Sequence, residues 1–180
     1  MCKKIGIINS VYNQGSTGRI CFELALFLQK NGIDAKTYYG RNKNESNGGV
    51  FFGSHIDNFV HAAKSRITDK QGFYSKSKTR ILIKKLEEFK PDLLILNNLH
   101  GYYLNIEILL EWIKKNNIKV ISVFHDCWNF TGHCAYFSLA NCNKWQKGCH
   151  DCERKRDYPK SIFLDNSQRN YETKKSFTSA

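Results

Sequence analysis

Between His133 and Cys152 the chain reads HCAYFSLANCNKWQKGCHDC, a stretch holding four of its seven cysteines. The thiols run Cys134-x7-Cys142-x6-Cys149-x2-Cys152. Four thiolates can close a tetrahedral zinc site, so Cys134, Cys142, Cys149 and Cys152 are the expected ligands of a structural zinc. Only the last pair is tightly spaced, and His133 and His150 are substitutes for one thiolate. Four reduced, partly buried thiols in an ordinary loop fit the same residues. Cys127 follows His125 and Asp126 and reads as a small apolar filler, as do Cys2 and Cys21. A nucleophilic Cys127 beside His125 is the alternative.

Two further histidines, His100 and His125, each follow a short apolar run, DLLILNN and IKVISVF. A histidine at a strand end is placed for proton transfer or ligand contact, and equally for an ordinary loop hydrogen bond. Asp126 is not implied as its partner, because neighbours on an extended chain point apart. The stretch NQGSTGR opens a helix. Gly15 and Gly18 let backbone approach a ligand closely, and a helix N-terminus offers free N–H groups to phosphate. The stretch is neither GxGxxG nor a P-loop. A plain strand-to-helix turn capped by Ser16 or Thr17 accounts for the same residues.

The elements that must position these groups follow from periodicity. KKIGIIN is short, apolar and β-branched, a buried strand with Ile5 to Ile8 at the centre of the sheet. RICFELALFLQKNG places Ile20, Leu24, Phe27 and Leu28 on one helical face and closes on Asn31-Gly32. IDAKTYYG is a second strand, completing a βαβ unit. Residues 41–53 read as a loop. Helical spacing returns from Ile56 to about Arg66 and from Ser77 to Phe89, where Leu82, Leu86 and Phe89 share a face. DLLILNN is a third strand. Asn105 caps a helix whose apolar face is Ile106, Leu109, Leu110 and Ile113. IKVISVF is a fourth strand. The alternation predicts an α/β fold, a Rossmann-like parallel sheet with helices on both faces. A long Cys-rich loop, 126–160, follows, and a basic helix starts near Asp165. In such sheets ligands bind beyond the carboxyl ends of the strands, where the glycine loop, NNLHGYY and HDCWNFTGH meet.

With 180 residues the chain has room for one domain with a real core. Its net charge of +12 favours anionic partners: nucleotides, nucleic acid or a phosphate-rich membrane surface. The apolar runs are strand-sized, and the N-terminus lacks the apolar region and cleavage site of a signal peptide. A cytoplasmic location is expected, where thiols stay reduced unless a metal takes them.

Three stretches together, GSTGRICFELALFLQKNGIDAKTYYGR, KPDLLILNNLHGYYLNIEILLEWIKKNNIKVISVFHDCWNFTGHCAYF and CNKWQKGCHDCERKRDYPKSIFLDNS, resemble the N-terminal half of bacterial family 4 (group 1) glycosyltransferases. The likeness is to members met in capsule and exopolysaccharide biosynthesis. It implies a GT-B enzyme, in which two Rossmann-like domains face each other across a cleft. Residues 1–180 would be the acceptor-side domain, truncated before its last strand, with the donor-binding C-terminal domain and its Glu-x7-Glu pair absent. The implied partners are a nucleotide-sugar donor and a lipid-linked sugar acceptor at the inner face of the plasma membrane, with peripheral membrane contact and no nucleic acid. Transfer would retain anomeric configuration and need no metal for chemistry. Gly15, Ser16, Thr17 and Gly18 match the segment that approaches the donor diphosphate, and His125 matches the catalytic histidine that reaches the donor sugar. Asn98, His100 and Tyr102 match the cleft wall on the acceptor side. Asn97 stands where many members carry histidine. On this reading the isolated chain is inactive. Two other functions suit the same composition. One is a zinc-stabilised nucleic-acid-binding module using the basic stretch Arg154 to Lys175 with Trp145 and Tyr158. The other is a non-catalytic partner subunit.

Overall fold

The computed structural model describes residues 3–43 and 48–178; Cys2 lies outside them. The chain divides into two compact units. The first comprises residues 1–58 and 72–125, the second residues 59–71 and 126–180.

The first unit follows the predicted alternation: β1 (Lys4–Asn9), α1 (Gly15–Lys30), β2 (Asp34–Tyr39), β3 (Gly49–Phe51), then α2 (His55–Thr68), whose residues from Phe59 on belong to the second unit. After it come α3 (Lys76–Phe89), β4 (Leu93–Leu96), α4 (Ile106–Lys115) and β5 (Lys119–Ser122). All strand pairs are parallel, in the order β3-β2-β1-β4-β5, so β1 is central as expected. Ile7 lies opposite Thr37 on one side and Ile95 on the other. Ile5, Ile7 and Ile8 are buried, which is why β1 reads as an apolar run rather than an alternating one. Successive residues of a strand face opposite ways. Ile5 and Ile7 pack with Cys21 and Ala25 of α1, whereas the position of Gly6 faces Leu86 of α3. Helices therefore cover both faces.

Two expectations need correction, and the exposure of β5 is a further finding. The buried stripe of α1 is Gly18, Cys21 and Ala25, with Leu24 and Leu28 partly buried beside it. Ile20 and Phe27 are exposed, because small side chains let the helix lie close to the sheet along a stripe rotated from the bulky one. Residues 41–53 are not wholly loop, since Gly49–Phe51 add a parallel edge to β2. β5 is exposed along all its residues, as it has a neighbour on one side only. The readings of α3 and of the α4 cap hold. Leu82, Leu86 and Phe89 are buried on α3. Asn105 caps α4, its side-chain oxygen accepting from Ile108 N at 3.0 Å. Its own backbone N–H donates to Thr79 Oγ1 of α3 at 2.8 Å, and its Nδ2 donates to Phe73 O.

The second unit contains little regular structure: the end of α2, a 3-10 turn at Phe137–Ala140, α5 (Lys144–Lys147) and α6 (Ser167–Thr178). Side chains brace it instead. Asp69 stands at the node, one carboxylate oxygen accepting from His133 Nδ1 and the other from Asn166 N at 2.9 Å. Asn170 Nδ2 donates to the Asp69 carbonyl. Lys174 is buried under the Trp128 ring, 3.9 Å from its centroid, and donates to Trp128 O at 2.6 Å. Gly132 cannot be larger, because a Cβ there would sit 2.2 Å from Ser167 O and 2.6 Å from Cys149 Cβ.

Candidate functional site

Parallel strands bring their carboxyl ends to one edge, and in the first unit four such ends adjoin: β2, β1, β4 and β5. β1 ends at Asn9, which is fully buried. Its Nδ2 donates to Val11 O at 2.7 Å, and its Oδ1 accepts from Asn98 N at 3.3 Å. One side chain thus ties the glycine loop to the loop after β4. Tyr12 anchors the first loop from below, stacked on Tyr39 with centroids 5.4 Å apart.

α1 starts at Gly15 with φ +60, a left-handed value that suits glycine. Its N-cap is Gln14, with no side-chain cap, and no acidic residue occupies the first turn. Neither Ser16 nor Thr17 serves as cap, so the first N–H groups of α1 keep their dipole open to an anion. Gln14, Gly15 and Ser16 are exposed, and Thr17 is half-buried. Gly18 faces inward, where a Cβ would meet Val11 Cγ2 at 3.1 Å and Asn13 N at 3.3 Å.

Beyond β5, the exposed His125 reaches across to the loop after β4. Its Nε2 lies 3.1 Å from Asn97 Oδ1. An amide oxygen only accepts, so Nε2 carries the proton and the bare lone pair falls on Nδ1 in the neutral ring. Asn97 is buried, and its Nδ2 has no hydrogen-bond partner. The Oδ1 of half-buried Asn98 is likewise without one, while the Asn98 carbonyl accepts from Tyr103 Oη at 2.7 Å. His100 is buried. Tyr102 is half-buried and held at φ +65, a strained value for an aromatic residue. The edge therefore offers an imidazole, orphaned amide groups and an uncapped helix start: hydrogen-bond donors and acceptors for a polyhydroxylated, anionic ligand.

Arg41 joins this edge and was not singled out by sequence reasoning. Its backbone N–H donates to Ser10 O at 2.9 Å. Its guanidinium passes Gly101, where a Cβ would stand 3.6 Å from Nη1. The available signal was position: a cation one residue beyond the run TYYG at the end of β2. The Asn97–His125 pair also went unread, since 28 positions separate its members.

In the second unit the predicted zinc ligands Cys134, Cys142, Cys149 and Cys152 line one small cavity, together with His133, His150 and Lys144. The cysteines described, Cys21, Cys127, Cys134, Cys142, Cys149 and Cys152, are all free thiols. A hydrogen bond between the Cys134 and Cys152 thiols holds Cys134 below the ordinary thiol range and pushes Cys152 above it. Burial raises Cys149. Among the described residues no three histidine, cysteine or carboxylate groups are drawn together tightly enough to hold a metal ion as they stand. His150 is exposed and pairs with Asp151 at 3.2 Å, whereas His133 is buried and its Nε2 has no partner. Burial also raises the Cys127 thiol, against its use as a nucleophile. Trp145 packs on Phe137 and Phe130 with centroids 4.9 and 5.5 Å away, and Lys174 is buried. Neither is free to stack or pair with nucleic acid.

Over 74 residues the chain is 30% identical to a protein of Escherichia coli (strain K12) named as a colanic acid biosynthesis glycosyl transferase, WcaC. The chain is related, over part of its length, to a glycosyltransferase. The match takes in 38% of this chain and 18% of that protein's length. No family model matches the chain, and no solved structure does.

Proposed function

We propose that this chain is the acceptor-side domain of a retaining GT-B glycosyltransferase of family 4, acting in cell-surface polysaccharide synthesis. The observation that carries the reading is the grouping of His125 with Asn97, the uncapped start of α1 and Arg41 along one carboxyl edge. The partial likeness to a named glycosyl transferase supports it.

The residues divide the work by chemistry. The first turn of α1, Gly15 to Gly18, and the Arg41 guanidinium face the diphosphate of a nucleotide-sugar donor, whose leaving charge they offset. His125, oriented by Asn97, contacts the donor sugar. Asn98, His100 and Tyr102 receive the acceptor, a lipid-linked saccharide at the inner membrane face. No metal enters the chemistry. Most donor contacts come from the second Rossmann-like domain of such enzymes, which also excludes water from the cleft. The 180-residue chain alone is accordingly a weak binder of donor and a negligible catalyst.

Calorimetric titration of nucleotide-sugars, followed by a radiolabelled transfer assay, tests this. The expected outcome is no transfer by the chain alone and transfer once a donor-binding domain is joined to it. Robust turnover by the isolated chain would refute the division of labour, and no turnover with any joined domain would refute the transferase reading.

A further inference from the structure

The cysteine cavity of the second unit plays no part in the proposed transfer. It gathers four thiols from three turns of a segment with almost no regular structure, around the buried side chain of His133. Several features of this arrangement are costly unless a cation is bound there. His133 Nδ1 is engaged by the Asp69 carboxylate, which only accepts, so Nδ1 donates. That fixes the ring and turns Nε2, fully buried and without a partner, to the remaining side of the ring. A buried, unpaired polar nitrogen is destabilising. The carboxylate–imidazole pair is the arrangement that orients ligands and outer groups around metals. Lys174 is buried in the same unit, its Nζ donating to Trp128 O at 2.6 Å. Zinc with four thiolates is a doubly negative centre, and a buried one needs cationic neighbours.

We propose that Cys134, Cys142, Cys149 and Cys152 bind one structural zinc ion, with His133, held by Asp69, as the buried polar group at its side. All four sulfurs border the same cavity, with the buried His133 beside them, which is the ligand type and number of a tetrahedral zinc centre at Zn–S ~2.3 Å. The donors must draw closer together than they stand, and the ion's charge offsets the repulsion that otherwise keeps four thiolates apart. On binding, each thiol loses its proton to solvent and forms a bond to zinc, with no change of oxidation state. Soft thiolate ligands in a tetrahedral set select zinc over magnesium or calcium. The site's task is to brace residues 126–166 where hydrogen-bonded secondary structure does not.

The test uses the untagged full chain, purified with reductant and no added metal. Elemental analysis is expected to give one zinc per chain. After chelation, cobalt(II) titration should give the intense sulfur-to-cobalt absorption and the visible bands of a tetrahedral tetrathiolate centre, reversed by zinc. Cys152→Ser should lose the stoichiometric ion, whereas Cys21→Ser and Cys127→Ser should keep it. His133→Gln should retain zinc but yield it to a chelator about 10- to 100-fold more readily. The cobalt spectrum of the wild-type chain counts thiolates even if a cysteine variant does not fold. Zinc well below one per chain overturns the proposal. So does a disulfide among these cysteines in reduced protein, an iron–sulfur chromophore, or cobalt in an octahedral oxygen environment.

Discussion

His125 uses one ring nitrogen to hold Asn97 and leaves the other side of an exposed ring for a ligand. A residue serving the core would be buried and paired on both sides, as His133 is on one. His125→Ala should therefore cost little stability, while transfer by the chain joined to a donor-binding domain should fall about 100-fold or more, as when one charge-stabilising donor is removed. Urea midpoints read against transfer rates check it: a parallel loss of both would make His125 structural. At this scale the sequence disclosed residue types and their places at strand ends, but not pairings. His125 could be read as a strand-end histidine, yet the buried amide that orients it belongs to another loop. The tie between Asp69 and His133 spans 64 positions and leaves no local signature at all.

Elements were legible where side-chain periodicity and burial agree. β1 and β4 read correctly because both faces of a central parallel strand are apolar. The helix face of α3 read correctly because its large residues are the buried ones. α1 misled because its contact stripe is made of the smallest residues, and β3 escaped because three residues are too few to show a period. Asn105 shows how one residue joins elements: it caps α4 and bonds Thr79 of α3 and the carbonyl of Phe73. Asn105→Ala removes the cap and strands buried polar groups, so a loss of about 2–4 kcal/mol is expected in urea denaturation. Asn105→Asp should restore the cap but not the bond to Phe73 O. On α2, burial lowers His61 from 6.5 to about 3. Between those values the unfolded chain binds a proton that the folded chain does not. Stability is therefore expected to fall as pH drops below about 6.5, by up to ~1.4 kcal/mol per unit, and to level off once the folded group also titrates. Urea midpoints across this range, compared with His61→Gln, should show a shallower acid slope in the variant.

At the scale of the whole chain, a charge of +12 is spread over loops and helices rather than gathered into one motif. No helix among the described residues is long and apolar enough to cross a membrane. On the proposed function, this positive charge would favour approach to anionic headgroups around a lipid-linked acceptor. Co-sedimentation with vesicles containing phosphatidylglycerol should be strong in low salt and should weaken steeply toward 0.5 M salt, where the screening length is only a few ångströms. Binding to neutral phosphatidylcholine vesicles at equal strength would contradict that picture.

The second unit is assembled from two distant pieces, residues 59–71 and 126–180. This has a consequence in time. As the chain is synthesised, Ser65 and Asp69 emerge long before Asn166 and Asn170, which lie 97 and 101 positions after Asp69. Until then Asp69 lacks two of its partners, although His133 has already emerged. Loop closure over that distance is slow relative to local helix formation, so the first unit has the opportunity to order as its strands appear while the second condenses last. A nascent chain arrested before Asn166 has left its exit tunnel should accordingly remain sensitive to protease around residues 59–71, and become resistant only when α6 arrives.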